Sequence, residues 1–246
     1  MLKILKYVWA IYFLAWFTII FLLFYPFFLV LLSRELWYPK AHSLRRVWGR
    51  LLLLLSGIRS EVTYDEALDK AKTYVFTPNH FSYFDIVSVN TLMPFYFSFM
   101  AKKELTNIPL FKIFFKTIDI PVDRHSITGA REAYRQAHKK LDKGISLLNF
   151  PEGGIGPQVP KMRKFKMGAF KLAIDQGIEV VPITILDNWK RLPSGGLLEG
   201  GSPGKMRMHI HRPIPTDNLK PGDEQDIADK VYRIIEEKFN SANNLK

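Results

Sequence analysis

The first 60 residues are dominated by one long apolar run. From Tyr7 to Ser33 the chain has 27 residues and no charge. About 20 consecutive apolar residues suffice to cross the hydrocarbon core of a bilayer. A secretory signal has an apolar core of only roughly 7–15 residues, followed by small residues at a cleavage site, and that pattern does not follow here. The run therefore predicts a retained membrane anchor.

Two features bear on how this anchor meets the membrane. Pro26 predicts a kink or break in the helix, since proline lacks a backbone donor. The block Ser43–Ile58 (SLRRVWGRLLLLLSGI) places its Arg residues before five leucines, which is typical of an interfacial helix. The first helix either spans the bilayer or forms with this block a hairpin that dips into one leaflet. We favour the hairpin and expect Arg45, Arg46 and Arg50 to contact headgroups.

Charge supports this placement and assigns a side of the membrane. The net charge is +12, and residues 1–60 carry eight Lys or Arg residues against one acid, Glu35. The larger basic cluster follows the apolar run, so the positive-inside rule places the remainder of the chain in the cytoplasm. We therefore expect a membrane anchor over residues 1–59 and a second unit over residues 60–246.

The pattern changes after about Glu61, where short β-rich runs alternate with amphipathic stretches. The runs include TYVFTP, FYFSFMA, IDIPV, SLLNF, VVPITIL and MRMHIHRPI, and a helical pattern ends the chain. Alternation of this kind predicts an α/β fold with a mixed, largely parallel sheet flanked by helices. Gly144 and Gly177 stand where helices are expected to end, and Pro193–Lys205 is expected to be an exposed loop.

One stretch, TPNHFSYFD, carries the first candidate chemistry. His80 follows a predicted strand, and open α/β sheets place their sites at the carboxyl ends of strands. An Asp at the start of the next helix, Asp85, can accept from the imidazole Nδ1–H and leave Nε2 free as a base. The alternative is an ordinary helix N-terminus with a solvated Asp. The aromatic residues Phe81, Tyr83 and Phe84 are expected to be core residues.

Three further motifs favour the catalytic interpretation. In NFPEGG, Glu152 lies on a tight turn directly after an apolar strand. DIPVDR ends in Arg124, a side chain suited to grip a phosphate. VVPITI has Pro182 in mid-strand, which predicts an edge or bulged strand.

Together, and in this order, these motifs resemble the four blocks of the glycerolipid acyltransferases, above all the bacterial 1-acyl-sn-glycerol-3-phosphate acyltransferases. The matching segments are Asn79–Asp85 (N-H-x-x-x-x-D), Val122–Arg124, Phe150–Gly153 (F-P-E-G) and Val181–Ile183. The resemblance spans roughly residues 73–185. It departs where Gly154 and Ile155 replace the family's usual Thr or Ser and Arg, and where Pro121 replaces an apolar residue.

The resemblance implies acyl transfer from a thioester to lysophosphatidic acid, giving phosphatidic acid, with His80 as general base oriented by Asp85. The donor would be acyl-carrier protein or acyl-CoA, and no further cofactor is implied. The chain has neither Cys nor a G-x-S-x-G motif, which favours direct transfer without an acyl-enzyme. Alternatives are an acyltransferase acting on glycerol-3-phosphate or another lysolipid, and a non-catalytic membrane lipid-binding protein.

The same resemblance assigns binding roles. Arg124 would bind the acceptor phosphate, together with Lys102 or Lys103, unless these lysines are only a solvated strand end. Glu152 would either bond the glycerol hydroxyl or tie its own turn, and backbone amides of the turn at Gly153 are candidate oxyanion donors. The implied location is the cytoplasmic face of the inner membrane, among membrane lipids.

Two other groups of residues carry weaker signals. His209 and His211 point to one face of a predicted strand, but no third ligand is evident, so the sequence predicts no metal site. The basic segment Lys161–Lys171 belongs to no nucleic-acid module. We expect it to face anionic lipid or an acidic acyl donor, and we expect no nucleic-acid partner.

Overall fold

Helices and strands alternate through most of the chain in the computed structural model, which describes residues 2–245. The helices are α1 (Leu2–Leu31), α2 (Tyr38–Leu55), α3 (Phe84–Leu92), α4 (Lys112–Thr117), α5 (Ile127–Asp142), α6 (Gly168–Gln176), α7 (Asn188–Arg191) and α8 (Glu224–Asn243). The strands are β1 (Ile58–Tyr64), β2 (Val75–Pro78), β3 (Phe97–Lys102), β4 (Ile120–Val122), β5 (Ser146–Asn149), β6 (Val180–Ile185) and β7 (Gly204–Ile210). The predicted series holds except for β1, which lies before the first predicted strand.

The seven strands form one sheet in the order β1-β7-β6-β2-β5-β3-β4. Every neighbouring pair is parallel except β6 and β7. The predicted mixed, largely parallel sheet flanked by helices is therefore confirmed. Because β2 to β6 all run in one direction, the chain leaves these five strands at the same edge of the sheet.

Strand β6 lies inside the sheet, between β2 and β7, so the predicted edge position is wrong. The bulged alternative fits better. From the pair Ile183–Ile210 to the bridge Val180–Ile214, β6 advances three residues while the other chain advances four. Pro182 lies within this irregular stretch, where its carbonyl still accepts from the amide of His211 at 3.0 Å. The proline is tolerated because the ladder is already shifted beside it.

Two sets of helices cover the two faces of the sheet. One face packs against α5, α6 and α8 through a cluster that includes Ala137, Phe170 and Val231. The other face packs against α3 through Phe76, Val89 and Met93. Gly177 ends α6 in the left-handed conformation, with φ +60°, as its position in the sequence predicts.

Helix α1 lies along the body of the protein rather than apart from it. Its aromatic side chains contact the body at successive turns: Phe13 on Phe84, Phe17 on Trp48, Phe21 on Phe111 and Phe28 on Phe114, with ring centroids 4.9–5.3 Å apart. The helix continues through Pro26, so the predicted break there is wrong. Phe21 and Phe28 anchor the helix on both sides of the proline, which offsets the lost hydrogen bond.

The outer face of α1 stays apolar and uncovered. Its exposed side chains are Ile4, Leu5, Val8, Ile11, Leu14, Ile19, Leu22, Leu23, Phe27, Leu29 and Val30. Among the described residues, α1 alone is long and apolar enough to cross a membrane. Because one face of α1 packs on the body and its other, apolar face stays uncovered, this helix associates the chain with a membrane.

Helix α2 packs into the body, and this changes the expectation for Arg45. Its guanidinium is buried and paired in a two-pronged contact with Asp119, at 2.9 and 3.3 Å. It also lies over the ring of Phe114, 4.9 Å from the centroid. Arg45 is therefore not available to lipid headgroups as expected, whereas Arg50 is exposed. The close approach of Gly49 to Thr91 on α3 explains why α2 can pack so tightly.

Residues 193–203 form the predicted loop, and Gly204 already begins β7. The loop is not exposed throughout as expected, because Gly200 and Gly201 are buried against the start of α1. The amide of Gly201 donates to the carbonyl of Lys6 at 2.9 Å, and the hydroxyl of Tyr7 donates to the carbonyl of Leu198 at 2.9 Å. Nearby, the indole of Trp9 donates to the carbonyl of Ser56 at 3.0 Å. These bonds hold the start of α1 against the body, and the contact of Phe28 with Phe114 holds its other end.

Candidate functional site

The expected site residues follow the carboxyl ends of different parallel strands. His80 comes after β2, Arg124 after β4, and Glu152 and Gly153 after β5, while Lys102 ends β3. Because these strands are parallel, residues up to 73 positions apart in sequence are delivered to one edge of the sheet. The strand order places β2 next to β5, which explains why the His80 and Glu152 loops are in direct contact.

His80 and Asp85 form the pair that their spacing predicts. Nδ1 of His80 lies 3.0 Å from Oδ2 of Asp85, and both side chains are buried. With the proton on Nδ1 donated to the carboxylate, Nε2 carries the lone pair. Within residues 2–245, Nε2 has no hydrogen-bond partner and is not among the enclosed polar atoms. The ring is therefore held at one nitrogen and open at the other.

Asp85 is fixed by several donors at once. Its Oδ2 also accepts from the amides of Phe81 and Ser82, at 2.7 and 2.8 Å, and its Oδ1 accepts from Nδ2 of Asn188 at 2.9 Å. With this many donors on its two oxygens, the carboxylate is held in one orientation and cannot rotate. The solvated Asp of the alternative interpretation is thereby ruled out, since Asp85 has no exposed surface.

Asn188 was not among the residues predicted from the sequence. It begins α7, directly after β6, and lies 103 positions from Asp85. The amide also donates to Oγ of Ser88 at 2.9 Å. The available signal was its position: a polar residue after a buried strand, at the same sheet edge as His80.

Asn79 and Ser82 shape the loop around His80. The Asn79 side chain donates to the carbonyl of Ile185 at 3.1 Å and accepts from its amide at 2.7 Å, so it extends the ladder between β2 and β6. The hydroxyl of Ser82 accepts from the amide of Phe84 at 3.0 Å, at the start of α3, and donates to the carbonyl of Leu192 at 2.6 Å. These bonds fix the loop, which a catalytic His requires.

The aromatic residues of the stretch have different environments. Phe81 and Phe84 are core residues as expected, whereas Tyr83 is 59% exposed and is not. The ring of His80 stacks on Phe150, with centroids 4.1 Å apart and planes 22° from parallel. Phe150 therefore covers one side of the imidazole and limits its rotation.

Glu152 ties two loops together. Its Oε1 accepts from the amide of His80 at 2.7 Å and its Oε2 from the amide of Arg163 at 2.9 Å. Burial raises the pKa of this carboxyl to about 7, and the nearby charge of Asp85 acts in the same direction. Since both oxygens bind backbone amides, the contacts favour the tie over a direct bond to a substrate hydroxyl.

Gly153 and Arg124 meet at the turn after β5. Gly153 adopts φ +73°, and a Cβ there would lie 2.7 Å from Cε of Lys166, so the turn requires glycine. Its carbonyl accepts from Nη1 of Arg124, and its amide donates to the carbonyl of Phe150 at 3.0 Å. The amide of Gly153 itself is therefore already bonded within the turn.

Positive charge converges on this turn. Lys166 covers Gly153, and the charge of Arg163 is close enough to help lower the pKa of Arg124, although burial is the larger cause. The two predicted lysines are engaged elsewhere: Lys102 pairs with Glu104 and Lys103 with Asp123, each at 3.0 Å and exposed. Arg124, Arg163 and Lys166 therefore form a positive cluster at this turn, and the last two lie in the basic segment that was expected to face anionic lipid or an acidic acyl donor.

Comparisons with known proteins agree with this geometry. Residues 59–186 match the family model described as Acyltransferase. The chain is similar to a 1-acyl-sn-glycerol-3-phosphate acyltransferase of Chlamydomonas reinhardtii, 34% identical over 146 residues, which are 58% of this chain and 43% of that protein. It is also similar to a probable 1-acyl-sn-glycerol-3-phosphate acyltransferase of Mycoplasma pneumoniae, 26% identical over 219 residues, 82% of this chain and 80% of that protein.

The fold has a close counterpart among solved structures. The crystal structure of the 1-acyl-sn-glycerophosphate acyltransferase PlsC from Thermotoga maritima superposes with a TM-score of 0.82. The match covers 99% of this chain and 98% of that chain at 22% sequence identity. At this identity the likeness concerns the fold, and it extends over the N-terminal helices as well as the sheet.

Proposed function

The chain belongs to the acyltransferase family, and we propose that it transfers a fatty acyl chain from an acyl thioester to the 2-hydroxyl of 1-acylglycerol-3-phosphate. The product would be phosphatidic acid, and the donor acyl-CoA or acyl-carrier protein. The observation that carries the proposal is the buried His80–Asp85 pair with Nε2 left open. The names of the related proteins support the choice of acceptor.

The reaction needs one base and no covalent intermediate on the protein. Nε2 of His80 takes the proton of the acceptor hydroxyl as its oxygen attacks the thioester carbonyl. Asp85 stabilises the imidazolium that forms, since its charge is buried 3.0 Å from Nδ1. Collapse of the tetrahedral intermediate breaks the C–S bond, and the thiolate receives the proton back from Nε2. Phe150 and Glu152 position the ring and the backbone of His80, respectively.

The acceptor phosphate is assigned to the cluster of Arg124, Arg163 and Lys166. Arg124 uses one N–H group on the carbonyl of Gly153, and a guanidinium has further donors to offer. Gly153 directly follows Glu152, and the Glu152 carboxylate accepts from the amide of His80. The same turn therefore contacts both the proposed phosphate ligand and the backbone of the proposed base. A phosphate held there would bring the hydroxyl of a short glycerol backbone towards His80.

For Arg124 we expect a defect in binding rather than in chemistry. Arg124→Lys removes the planar fork and should raise the acceptor KM about tenfold or more, with a smaller change in kcat. Arg131→Lys on the exposed face of α5 is the matched control and should leave both constants unchanged. An unchanged acceptor KM in Arg124→Lys would assign the phosphate to other residues.

The acceptor and donor are tested with an acceptor panel. Purified protein in lipid vesicles would be assayed with 1-acylglycerol-3-phosphate, glycerol-3-phosphate and uncharged lysolipids, each with acyl-CoA and with acylated carrier protein. We expect turnover with 1-acylglycerol-3-phosphate to exceed the others. A preference for glycerol-3-phosphate would keep the mechanism and change the substrate, whereas no turnover with any pair would favour a lipid-binding protein.

We further propose that α1 dips into one leaflet, on the cytoplasmic face of the inner membrane. At about 1.5 Å per residue its 30 residues extend about 45 Å, more than the roughly 30 Å hydrocarbon core. If α1 crossed the membrane, its two ends would therefore lie on opposite sides. Its first turns bond to Gly201 and Ser56 while Phe28 contacts Phe114, so both ends stay with the body. The basic residues that follow it favour the cytoplasmic side.

Cysteine labelling tests this placement, because the chain has no Cys of its own. Lys3→Cys and Lys220→Cys report the start of α1 and the exposed loop before α8, and both positions are exposed. We expect an impermeant thiol reagent to label both variants in inverted membrane vesicles and neither in intact cells. Labelling of Lys3→Cys alone from the outside of intact cells would mean that α1 crosses the membrane.

A further inference from the structure

A second cluster of polar side chains lies on strands β1 and β7, and it shares no residue with the site at His80. His209 and His211 are two positions apart and project from one face of the sheet. The sequence offered no third ligand for them. The fold supplies one in Asp65, directly after β1 and 144 positions from His209. One ligand atom from each of the three residues lies within 4.8 Å of the others.

Both imidazoles face the same carboxylate. Nε2 of His209 lies 2.8 Å from Oδ1 of Asp65, and Nδ1 of His211 lies 3.4 Å from Oδ2. The two histidines are buried, at 5% and 6% exposure, whereas Asp65 is exposed. The cluster therefore has two fixed nitrogen atoms on the inside and one adjustable carboxylate at the surface.

Two threonines hold the far nitrogens of the histidines. Oγ1 of Thr63 lies 2.7 Å from Nδ1 of His209, and Oγ1 of Thr184 lies 2.7 Å from Nε2 of His211. When each far nitrogen donates its proton to a hydroxyl, the near nitrogen presents a lone pair towards Asp65. Hydrogen bonds of this kind orient the histidine ligands of metal sites.

We propose that Asp65, His209 and His211 bind a divalent transition-metal ion, for which zinc is the fitting probe, with water in the fourth position. Two imidazoles and one carboxylate are a donor set that zinc accepts, and a chain without Cys has no thiolate to offer. Zinc bonds of about 2.0–2.2 Å place tetrahedral ligand atoms roughly 3.3–3.6 Å apart. The distance from His211 to Asp65, 3.4 Å, lies within that range, and the distance from His209 to Asp65, 2.8 Å, is shorter, which the exposed carboxylate can adjust by moving.

The backbone also orients the carboxylate. The amide of Arg212 donates to Oδ2 of Asp65 at 3.2 Å, and the guanidinium of Arg212 pairs with Glu66 at 2.9 Å. Asp65 therefore has one oxygen on this amide while its other oxygen faces His209.

The ion would act as a clamp on the edge of the sheet. Within the described residues, β1 pairs with β7 alone, and it follows α2 after a two-residue turn. Asp65 directly follows β1, His209 lies in β7 and His211 directly follows it. Thr184, which contacts His211, lies in β6. A bound ion would therefore fix the strand that leads from the N-terminal helices into the sheet, independently of acyl transfer.

Metal binding by the purified full chain tests the proposal without reference to activity. The protein would carry a peptide tag free of His, be stripped with a chelator, and be titrated with zinc chloride, with bound metal counted by mass spectrometry. We expect about one zinc per chain. Zinc should slow hydrogen exchange in β1, and cobalt should give the visible absorption typical of a tetrahedral site.

Variants separate the proposed site from adventitious binding. Thr184→Val, which changes no ligand and keeps the side-chain shape, should weaken zinc binding about 10–100-fold, and His209→Gln should weaken it more. His138→Gln removes an exposed histidine of α5 and should bind zinc as the unmodified chain does. The proposal would be overturned if the unmodified chain showed no saturable zinc binding, or if Thr184→Val and His209→Gln bound zinc as tightly as the unmodified chain. Either result would stand even if the acyltransferase assay succeeds.

Discussion

His80→Ala should lose nearly all acyl transfer, with kcat reduced about 10²–10⁴-fold, the usual contribution of a positioned base. The substitution leaves the backbone amide of His80 bonded to Glu152 and the amides of Phe81 and Ser82 bonded to Asp85. The loop should therefore keep its shape, and the loss should appear in kcat rather than in the amount of folded protein. Initial rates in lipid vesicles, with circular dichroism of the same samples, measure both quantities.

Two companion variants make the result specific. Asp85→Asn should also lose much of the activity, because a neutral amide cannot stabilise the imidazolium that forms on His80 as the carboxylate does. His138→Ala on the surface of α5 should retain full activity. Near-normal turnover in folded His80→Ala protein would rule out the mechanism, whatever the acceptor.

Arg45→Ala should be strongly destabilising, lowering the free energy of unfolding by about 3–5 kcal/mol. The side chains of Arg45 and Asp119 are only 8% and 6% exposed, so removing the cation leaves a buried carboxylate without its counter-charge. Among the described residues, the donor that remains to this carboxylate is the amide of Phe99, 3.1 Å from Oδ1. Denaturant unfolding in detergent micelles measures the difference.

The controls for Arg45 separate burial from charge. Arg135→Ala breaks an exposed pair with Glu132 on α5 and should leave the stability nearly unchanged, because water screens an exposed pair. The double variant Arg45→Met with Asp119→Asn removes both charges, keeps an acceptor for Phe99, and should recover most of the loss. If Arg45→Ala and Arg135→Ala were equally mild, α2 would not be packed against β4 as the structure has it.

The candidate site was recognisable from the sequence because its parts are short and local. His80 and Asp85 are five residues apart, and the geometry of a strand followed by a helix start is enough to bring them together. The parallel sheet could be inferred from alternation alone, and with it the shared edge at which Arg124 and Glu152 arrive. Asn188 was missed because its contact with Asp85 joins positions 103 residues apart.

The errors have the same origin. Arg45 was assigned to headgroups because a basic residue beside leucines resembles an interfacial helix, and its partner Asp119 lies 74 positions away. Pro182 suggested an edge or a bulged strand: the edge position is wrong because β6 lies inside the sheet, and the irregular register beside Pro182 fits the bulged alternative.

The sequence by itself determined the apolar anchor, the α/β class and the His80–Asp85 pair, because hydrophobic periodicity and short spacings act through neighbouring residues. Only the tertiary structure decided that both ends of α1 return to the body, that Arg163 and Lys166 join Arg124, and that Asp65 meets His209 and His211. Each of these depends on which strands and helices become neighbours. That choice is made by packing over the whole chain, and no local pattern records it.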